Sequence, residues 1–343
     1  MATLSQPTAW SVDERQLDPT AGINEKLRFA LRYAVLAPSN HNTQPWHFIV
    51  DGDSVTLCAD RTRALPVVDP FDRELLISCG AVLFNLRVAL SRFGLAYAIT
   101  LLPSTVDVDV LAHLRVIRDG RCDTELASLF EAIPLRVTTR ETFADEPSPP
   151  GFRQRLEEAG AIEGCDTVCV ENIAGREQLA DLIGEADQAQ FKDARFRREL
   201  ASWIHPRRHQ DGMPALSPGV RALLDFAAPL VSSVVRTFDQ GGGLAATHHT
   251  LAIGSPLLMC IATGTDDASA WLSAGQALER VLLTAAAEGM TASYLNQPIE
   301  IASLRERLCA ALKLDAVPQL LIRIGRGAQV PHSPRRPLEE VVS

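Results

Sequence analysis

Apolar residues along this chain recur at two spacings. Ile23, Leu27, Ala30, Leu31, Ala34 and Val35 lie three or four apart and predict a helix ending before Pro38, and WHFIV at residues 46–50 reads as a strand. A longer helical stripe follows at Cys79, Val82, Leu83, Leu86 and Leu90. It stops at Gly94, a residue suited to a helix C-cap, and gives way to a strand-like run that reaches Pro103. Val110, Leu114 and Ile117 mark another strand before Gly120. Downstream the pattern predicts a helix around residues 150–160, a strand TVCV at 167–170, a long helix ending at Gly289 and a strand through Val317, Leu321 and Ile324.

The second series copies the first. Residues 78–103, SCGAVLFNLRVALSRFGLAYAITLLP, lie on residues 273–298, SAGQALERVLLTAAAEGMTASYLNQP, at a constant offset of 195 without a gap. Five pairs are identical: Ser78/Ser273, Gly80/Gly275, Leu83/Leu278, Gly94/Gly289 and Pro103/Pro298. The counterparts of the first stripe, Ala274, Ala277, Leu278, Val281 and Ala285, are all apolar, and Val110, Leu114, Ile117 and Gly120 fall opposite Val317, Leu321, Ile324 and Gly327 at an offset of 207. Helix, strand, long helix and strand thus recur in one order, which marks an internal duplication with its boundary near residues 120–135. The expected organisation is an N-terminal extension over residues 1–20, a first half over 21–130 and a second over 131–343. Each half reads as a small sheet packed by helices, an α+β arrangement with a pseudo-twofold axis around the long helices.

What is not duplicated carries the chemistry. The first half has a dense polar loop, PSNHNTQPW at residues 38–46, where the second has only GAIEGC; the second half opens with RVTTRETF at 136–143, and the first has no such arginine cluster. Ser39, Asn40, Asn42 and Gln44 place hydrogen-bond donors and acceptors close together. The same residues suit a capped turn, with Pro38 ending one helix and Pro45 restricting the approach to the next strand. Trp46 and Phe48 read as core positions of that strand.

Composition narrows the classes. With 46% apolar and 22% charged residues the chain is globular, and a formal charge of −9 argues against general affinity for nucleic acid or an anionic membrane while leaving room for a small anionic ligand at a local arginine cluster. The first twenty residues lack a basic start and an apolar stretch, so no signal peptide is expected and a cytoplasmic location is. Residues 240–265 lack formal charge but are interrupted by Gly241, Gly242, Gly243, His248, His249 and Pro256, so no membrane span is expected there. Seven scattered cysteines without a paired CxxC spacing are expected to be reduced thiols.

The polar loop and the arginine cluster resemble the nitroreductase superfamily, whose ordinary members are homodimers with FMN in both interface clefts. There one subunit gives an RxSxR-type phosphate motif and its partner a PSxxNxQPW loop. Arg136, Thr138 and Arg140 match the first, with threonine in the serine place, and residues 38–46 match the second. Complementary loss in two fused halves implies one complete cleft and one FMN. Glu288, Gly289 and Met290 resemble the turn whose backbone amides face flavin N5 and O4, and Arg335 in SPRRPLEEVV resembles a phosphate-binding arginine, with Ser333 where lysine is common. The fused arrangement is most similar to the Acg-type actinobacterial branch, in which a lid covers the flavin.

The resemblance implies a cofactor-binding set of Pro38, Ser39, Asn40, Asn42, Gln44, Arg136, Thr138, Arg140, Glu288, Gly289 and Arg335, with NAD(P)H as electron donor and no catalytic side chain beyond the Glu288, Gly289 and Met290 backbone. An isolated arginine of this kind is otherwise a surface ion-pair partner. No metal is assigned: Pro206 breaks the His205 and His209 spacing, and His248 and His249 point apart. Gly241, Gly242 and Gly243 lack a phosphate-loop continuation and read as a flexible connection. Residues 195–220 have no counterpart in the first half and suit either a lid over the flavin or an inserted surface loop. Three functions remain open: an FMN-dependent NAD(P)H oxidoreductase for nitro, quinone or similar acceptors, an FMN storage protein with little turnover, or a relic without cofactor. The chain is expected to act as a monomeric pseudo-dimer or a homodimer of it.

Overall fold

The computed structural model describes residues 9–205, 210–214, 235–237, 239–328 and 330–343. The first half runs α1 (Ile23–Ala34), β1 (Trp46–Asp51), β2 (Ser54–Ala59), α2 (Arg73–Arg92), β3 (Ala96–Leu101) and β4 (Val110–Ile117). The tight connection between β1 and β2 needs a left-handed residue, and Gly52 supplies it at φ 55°. A short α3 (Thr124–Ala127) leads to the second half: α4 (Phe152–Ile162), β5 (Asp166–Val170), α5 (Ile173–Lys192), α6 (Ala194–Ser202), the two-residue strands β6 (Ile204–His205) and β7 (Met213–Pro214), α7 (Gly241–Ile253), β8 (Leu257–Thr263), α8 (Ala268–Ala287), β9 (Thr291–Tyr294), α9 (Ala302–Leu312) and β10 (Val317–Gly325).

The two four-stranded sheets are antiparallel and have equivalent orders, β1-β2-β4-β3 and β5-β8-β10-β9. In each half a helix precedes the first strand and a long helix joins the second strand of the sheet to the strand at its far edge. The halves differ where β1 turns directly into β2, because α5 through α7 intervene between β5 and β8. Residues 195–220 lie inside that insertion, and residues 206–209 and 215–220 of them fall outside the described ones. The triple glycine is not a flexible connection. It forms the first turn of α7, where a Cβ on Gly241 would lie 3.0 Å from the Phe191 side chain and 3.1 Å from the Gln188 Cα, so close packing against α5 explains the small residue.

The halves meet along α2 and α8. A Cβ on Gly80 would come within 2.3 Å of the Leu272 carbonyl oxygen, and one on Gly275 within 2.0 Å of the Ile77 carbonyl oxygen. Gly80 and Gly275 are counterparts in the repeat and touch each other, a Cβ on either lying 2.8 or 2.9 Å from the other's Cα. Residues on a twofold axis meet their own equivalents in this way. Helix α2 is long and apolar enough to cross a membrane by length and composition, but its side chains are nearly all buried within the protein. Trp46 and Phe48 are fully buried in the first core, and all seven cysteines are free.

Two segments tie each half to the other's chemistry. The C-terminus lies along the edge of β1, with the Phe48 amide donating to the Val341 carbonyl (2.7 Å) and the Ser343 amide to the Phe48 carbonyl (2.9 Å). Thr138 and Thr139 lie along the edge of β9, where the Thr139 amide donates to the Ala292 carbonyl at 3.0 Å. Both outer edges that would otherwise present unpaired backbone are thereby covered in part.

Gly275→Ala is expected to force α2 and α8 apart and to lower the stability by about 3 kcal/mol, since an added carbon has only backbone to displace. Chemical denaturation of the variant checks this; stability within experimental error of the parent would contradict the backbone contact.

Candidate functional site

The polar loop is built from unusual backbone. His41, Asn42 and Gln44 take positive φ values of 48°, 57° and 52°, a concentration of left-handed residues that side chains with a Cβ adopt only when their surroundings hold them. Ser39 Oγ accepts from the Gln44 amide (2.9 Å), and Asn40 Nδ2 donates to Glu74 on α2. Asn42 Nδ2 donates to the carbonyls of Gly212 (3.1 Å) and Pro334 (3.0 Å), while Gln44 Nε2 donates to the Gln210 carbonyl (2.9 Å) and Gln44 Oε1 accepts from the Arg336 amide (2.8 Å). The loop is therefore clasped between the insertion and the C-terminal tail.

The tail brings Arg335 to the end of α1. Its Nε and Nη2 donate to the carbonyls of Val35 (3.0 Å), Leu36 and Ala37 (both 2.9 Å), and its Nη1 to Asn42 Oδ1 (3.0 Å) and the Ser333 and Pro334 carbonyls. The Val35, Leu36 and Ala37 carbonyls belong to the C-cap of α1 and the two residues after it, and a cation is favoured beside a helix C-terminus. Arg335 thus sits beside Arg136 and Asn42, as the sequence predicts, but its donors are committed to backbone and loop rather than left open. Trp10 closes over it: the indole stacks on His332 (3.9 Å, 13°), donates to the Ser333 carbonyl (2.8 Å), and lies 5.0 Å from the Arg335 guanidinium.

Arg136 joins this group through a bond from Nη2 to the Leu36 carbonyl (2.8 Å) and a 3.4 Å approach of Nε to Glu279 Oε1. Arg136 Nε, both Glu279 oxygens, Thr139 Oγ1, the Tyr294 hydroxyl, His41 Nδ1, and Arg323 Nε and Nη1 are buried without a hydrogen-bond partner among the described residues. Arg323 Nη2 donates to the Thr139 and Glu141 carbonyls (both 2.8 Å), and its guanidinium stacks on Phe143 at 4.3 Å. Arg140 is half-buried, and no acid or acceptor pairs with it among the described residues.

The electrostatics show that these groups share one space. Burial lowers the Arg140 guanidinium, and burial followed by repulsion from Arg140 pushes Arg323 down to about 10 and His41 down to about 4. Burial and then Arg136 push Arg335 down to about 9, and burial with Arg136 and Arg335 pushes His332 down to about 4. The Tyr294 hydroxyl is raised by burial while Arg136, Arg140 and Arg335 oppose the rise. Arg136, Arg140 and Arg335 therefore face Tyr294, with Glu279 beside Arg136 and Arg335 and with Arg323 beside Arg140. Early loop, mid-chain arginines and tail do converge.

Glu288, Gly289 and Met290 do not join them. Their amides donate to the carbonyls of Ala285 (3.1 Å), Ala286 (3.0 Å) and Ala285 (2.9 Å), closing the end of α8, and the Glu288 carboxylate forms an exposed two-point pair with Arg155 (both 2.7 Å). These amides close the helix as a C-cap does, and the length of β9 separates this turn from Tyr294, roughly 10 Å at strand rise. Thr138 holds the edge of β9 with its backbone. Two surface cavities, about 410 and 460 Å³, lie elsewhere, the first lined by Gln178, Asp181 and Arg307 and the second by Gln154, Glu158 and Cys165. His248 and His249 face different carboxylates, Asp187 (2.8 Å) and Asp181 (3.3 Å), and no group able to hold a metal occurs among the described residues.

Sequence reasoning missed Glu279, Tyr294, Arg323 and Trp10. A signal existed for one: Glu279 interrupts the apolar run of α8 and stands opposite Phe84 in the repeat. Burial pushes its carboxyl up to about 7 despite Arg136, the nearby Asn85 amide and Arg335, which pull it down. A carboxyl raised on folding stabilises fully below the unfolded value near 4.5 and loses that contribution as pH climbs through about 7. Glu279→Gln should remove the loss, so that cofactor-free protein gains about 3 kcal/mol relative to the parent between pH 5 and pH 8. Denaturant melts at the two pH values test it, and parallel pH dependence in both proteins would refute the assignment.

No family model matches the chain. Among curated proteins it is similar to Rv3131 of Mycobacterium tuberculosis, named as an NAD(P)H nitroreductase, with 32% identity over 326 residues that cover 93% of this chain and 91% of the relative. Acg of the same organism, also named as an NAD(P)H nitroreductase, shares 30% over 331 residues, covering 92% and 94%. PigM of a Serratia species, under the same kind of name, shares 23% over 339 residues, 93% of each chain. Solved structures include the FMN-dependent nitroreductase NfnB of Mycobacterium smegmatis in complex with NADPH, at 17% identity and a TM-score of 0.42 over 63% of this chain and 97% of that one. On the strength of the full-length relatives, the chain belongs to the nitroreductase family.

Proposed function

We propose that this chain holds one FMN in the cleft between its halves and carries electrons from NAD(P)H to a nitro compound, a quinone or a similar acceptor. The observation that carries the reading is Arg140, a half-buried guanidinium without an acid or acceptor among the described residues, standing in a group of four arginines with one buried carboxylate. Such a surplus is costly unless an anion enters, and a phosphate ester offers close to two negative charges with several acceptor oxygens. The donor set fits that group: Arg140, Arg136 Nε and Thr139 Oγ1 are free to donate, while Arg335 adds field and keeps Asn42 in place.

When bound, FMN supplies hydride chemistry at its N5. The side chains serve it by position: the arginines neutralise the phosphate, Ser39 through Gln44 shape the wall against which a flat ring would lie, and Tyr294 offers a hydroxyl to the same space. The names of Rv3131 and Acg, and the FMN bound to a nitroreductase of Bacteroides fragilis, agree with this reading for those proteins.

Storage of FMN with little turnover is the second reading, favoured by one specific feature. Residues 210–212 are seated on the polar loop through the Gln210 and Gly212 carbonyls and an ion pair between Asp211 and Arg63, which supports reading the 195–220 segment as a lid. Anaerobic mixing of flavin-loaded protein with NADH or NADPH separates the two. Rapid bleaching means a reductase, and flavin that only dithionite bleaches means storage.

Arg140→Ala should weaken FMN binding by roughly tenfold or more, since one charge-assisted bond is worth about 1.5 to 3 kcal/mol. Flavin fluorescence titration measures it. Unchanged affinity, or a parent protein that stays colourless with added FMN, would remove the proposal.

A further inference from the structure

Glu279 lies within α8 with a side chain that is 0% exposed, and neither of its carboxyl oxygens has a hydrogen-bond partner among the described residues. The cation that approaches it is Arg136, whose Nε stands 3.4 Å from Oε1 and is itself without a hydrogen bond there. The fold does not require an acid at this place. The repeat puts Phe84 of α2 at the position of Glu279, and Asn85 at that of Arg280. On the other side of the axis Phe84 and Arg280 meet as a ring and a guanidinium, 5.1 Å apart, so the counterpart position is filled by packing. One copy alone carries the carboxyl, and it is the copy that faces Arg136.

A buried carboxylate without hydrogen bonds is tolerated only while a cation stands against it; otherwise the group takes a proton. Glu279 leans on Arg136, and Arg136 Nε is one of the donors that an entering phosphate would use. One N–H thus has two claimants. A phosphate ester that takes it leaves Glu279 without its partner and adds close to two negative charges to the same enclosed space, and both changes favour the neutral acid. The groups that face Glu279 are Arg136 from the segment after α3, Arg335 from the tail, Asn85 from α2 and Tyr294 from β9. Burial already pushes the carboxyl up to about 7 against the pull of Arg136 and the groups beside it, so losing part of that pull carries it above neutrality. His41 and His332, pushed down to about 4 by burial, stay neutral near pH 7, and Arg335, pushed down to about 9, stays charged.

We infer that Glu279 couples occupation of the anion site to proton uptake: when the phosphate of FMN engages Arg136, the Glu279 carboxylate takes one proton from solvent and stays in place as a neutral acid. The inference rests on the FMN reading above. One proton enters with each phosphate, and no bond other than the carboxyl O–H is made. The sign follows from linkage. Below about 7 the acid is already neutral, and the phosphate meets Arg136 without a competitor. As pH rises through about 7 the acid ionises, pairs with Arg136 and competes with the ligand, so affinity falls on the alkaline side. Glu279 therefore sets the pH range over which the site holds its cofactor.

The test is titration of cofactor-free protein with FMN, followed by flavin fluorescence and by calorimetry in buffers of different ionisation enthalpy. For the parent, affinity should be roughly tenfold weaker at pH 8 than at pH 6.5, with about one proton taken up per FMN at pH 8. The phosphate of the ligand is near its dianion at both values. Glu279→Gln, neutral at either pH, should bind equally tightly at both and take up no proton at pH 8, so that it matches the parent at pH 6.5 and exceeds it at pH 8. A merely structural role would change affinity by the same factor at both pH values. Equal affinity of the parent at the two values, or the same alkaline loss in Glu279→Gln, would overturn the coupling and leave the cofactor reading standing. Proton uptake is read on the parent itself, so its absence at pH 8 overturns the coupling whether or not the variant folds. A parent that binds no FMN at either pH removes the cofactor reading and the coupling with it, so the two failures are distinguishable.

Discussion

Everything at the site depends on how closely α2 approaches α8. With Gly80 and Gly275 back to back, the backbones of the long helices touch, and elements separated by more than 200 residues in sequence come to share one space. Side chains at these two positions would hold the halves apart, and Arg73 at the start of α2 would no longer reach the Gln319 carbonyl of β10. Close backbone contact is a strong constraint because no rotamer change relieves it. It also accounts for the pseudo-twofold axis: two copies of one helix that carry their glycine at the same place meet there first.

Charge supplies the second constraint. Placing Arg136, Arg140 and Arg335 around Tyr294, with Arg323 beside Arg140, opposes folding, as the lowered values of Arg335 and Arg323 register. The fold meets this partly from its own backbone. Arg335 satisfies the Val35, Leu36 and Ala37 carbonyls just beyond α1, Arg136 shares that of Leu36, and Arg323 takes the carbonyls of Thr139 and Glu141. Arg140 is not met in this way. An anion entering such a space would gain pairs with groups already desolvated, so the cost of burying them would have been met by folding beforehand.

Much of the fold was legible because it rests on repetition. Periodicity located α1, α2, α4, α8 and the strands they precede, and the shared Gly80/Gly275 and Gly94/Gly289 positions indicated the symmetry. The insertion was visible as a stretch without a counterpart, but its helices were not: the triple glycine reads locally as a breaker, and only contact with α5 keeps it helical. At the site, the loop and the arginines were legible from residue type. The division of labour among them was not, since donor use depends on which carbonyls lie within reach. Gly289 illustrates the limit: a glycine ending a helix serves as a cap and can still face a ring, and residue type alone does not separate the two.

The positions of the termini follow from the same geometry. A tail that carries Arg335 must lie beside α1, and it reaches there by pairing with β1 of the first half rather than with its own sheet. Trp10, from the opposite end of the chain, then covers it by stacking on His332 and binding the Ser333 carbonyl. The arginine-rich space is thus bounded by the first described residues, the last ones, and the middle of the chain at once. No contiguous stretch of either half contains it, so this space exists only when Trp10, the polar loop, the Arg136 segment and the tail are all in place.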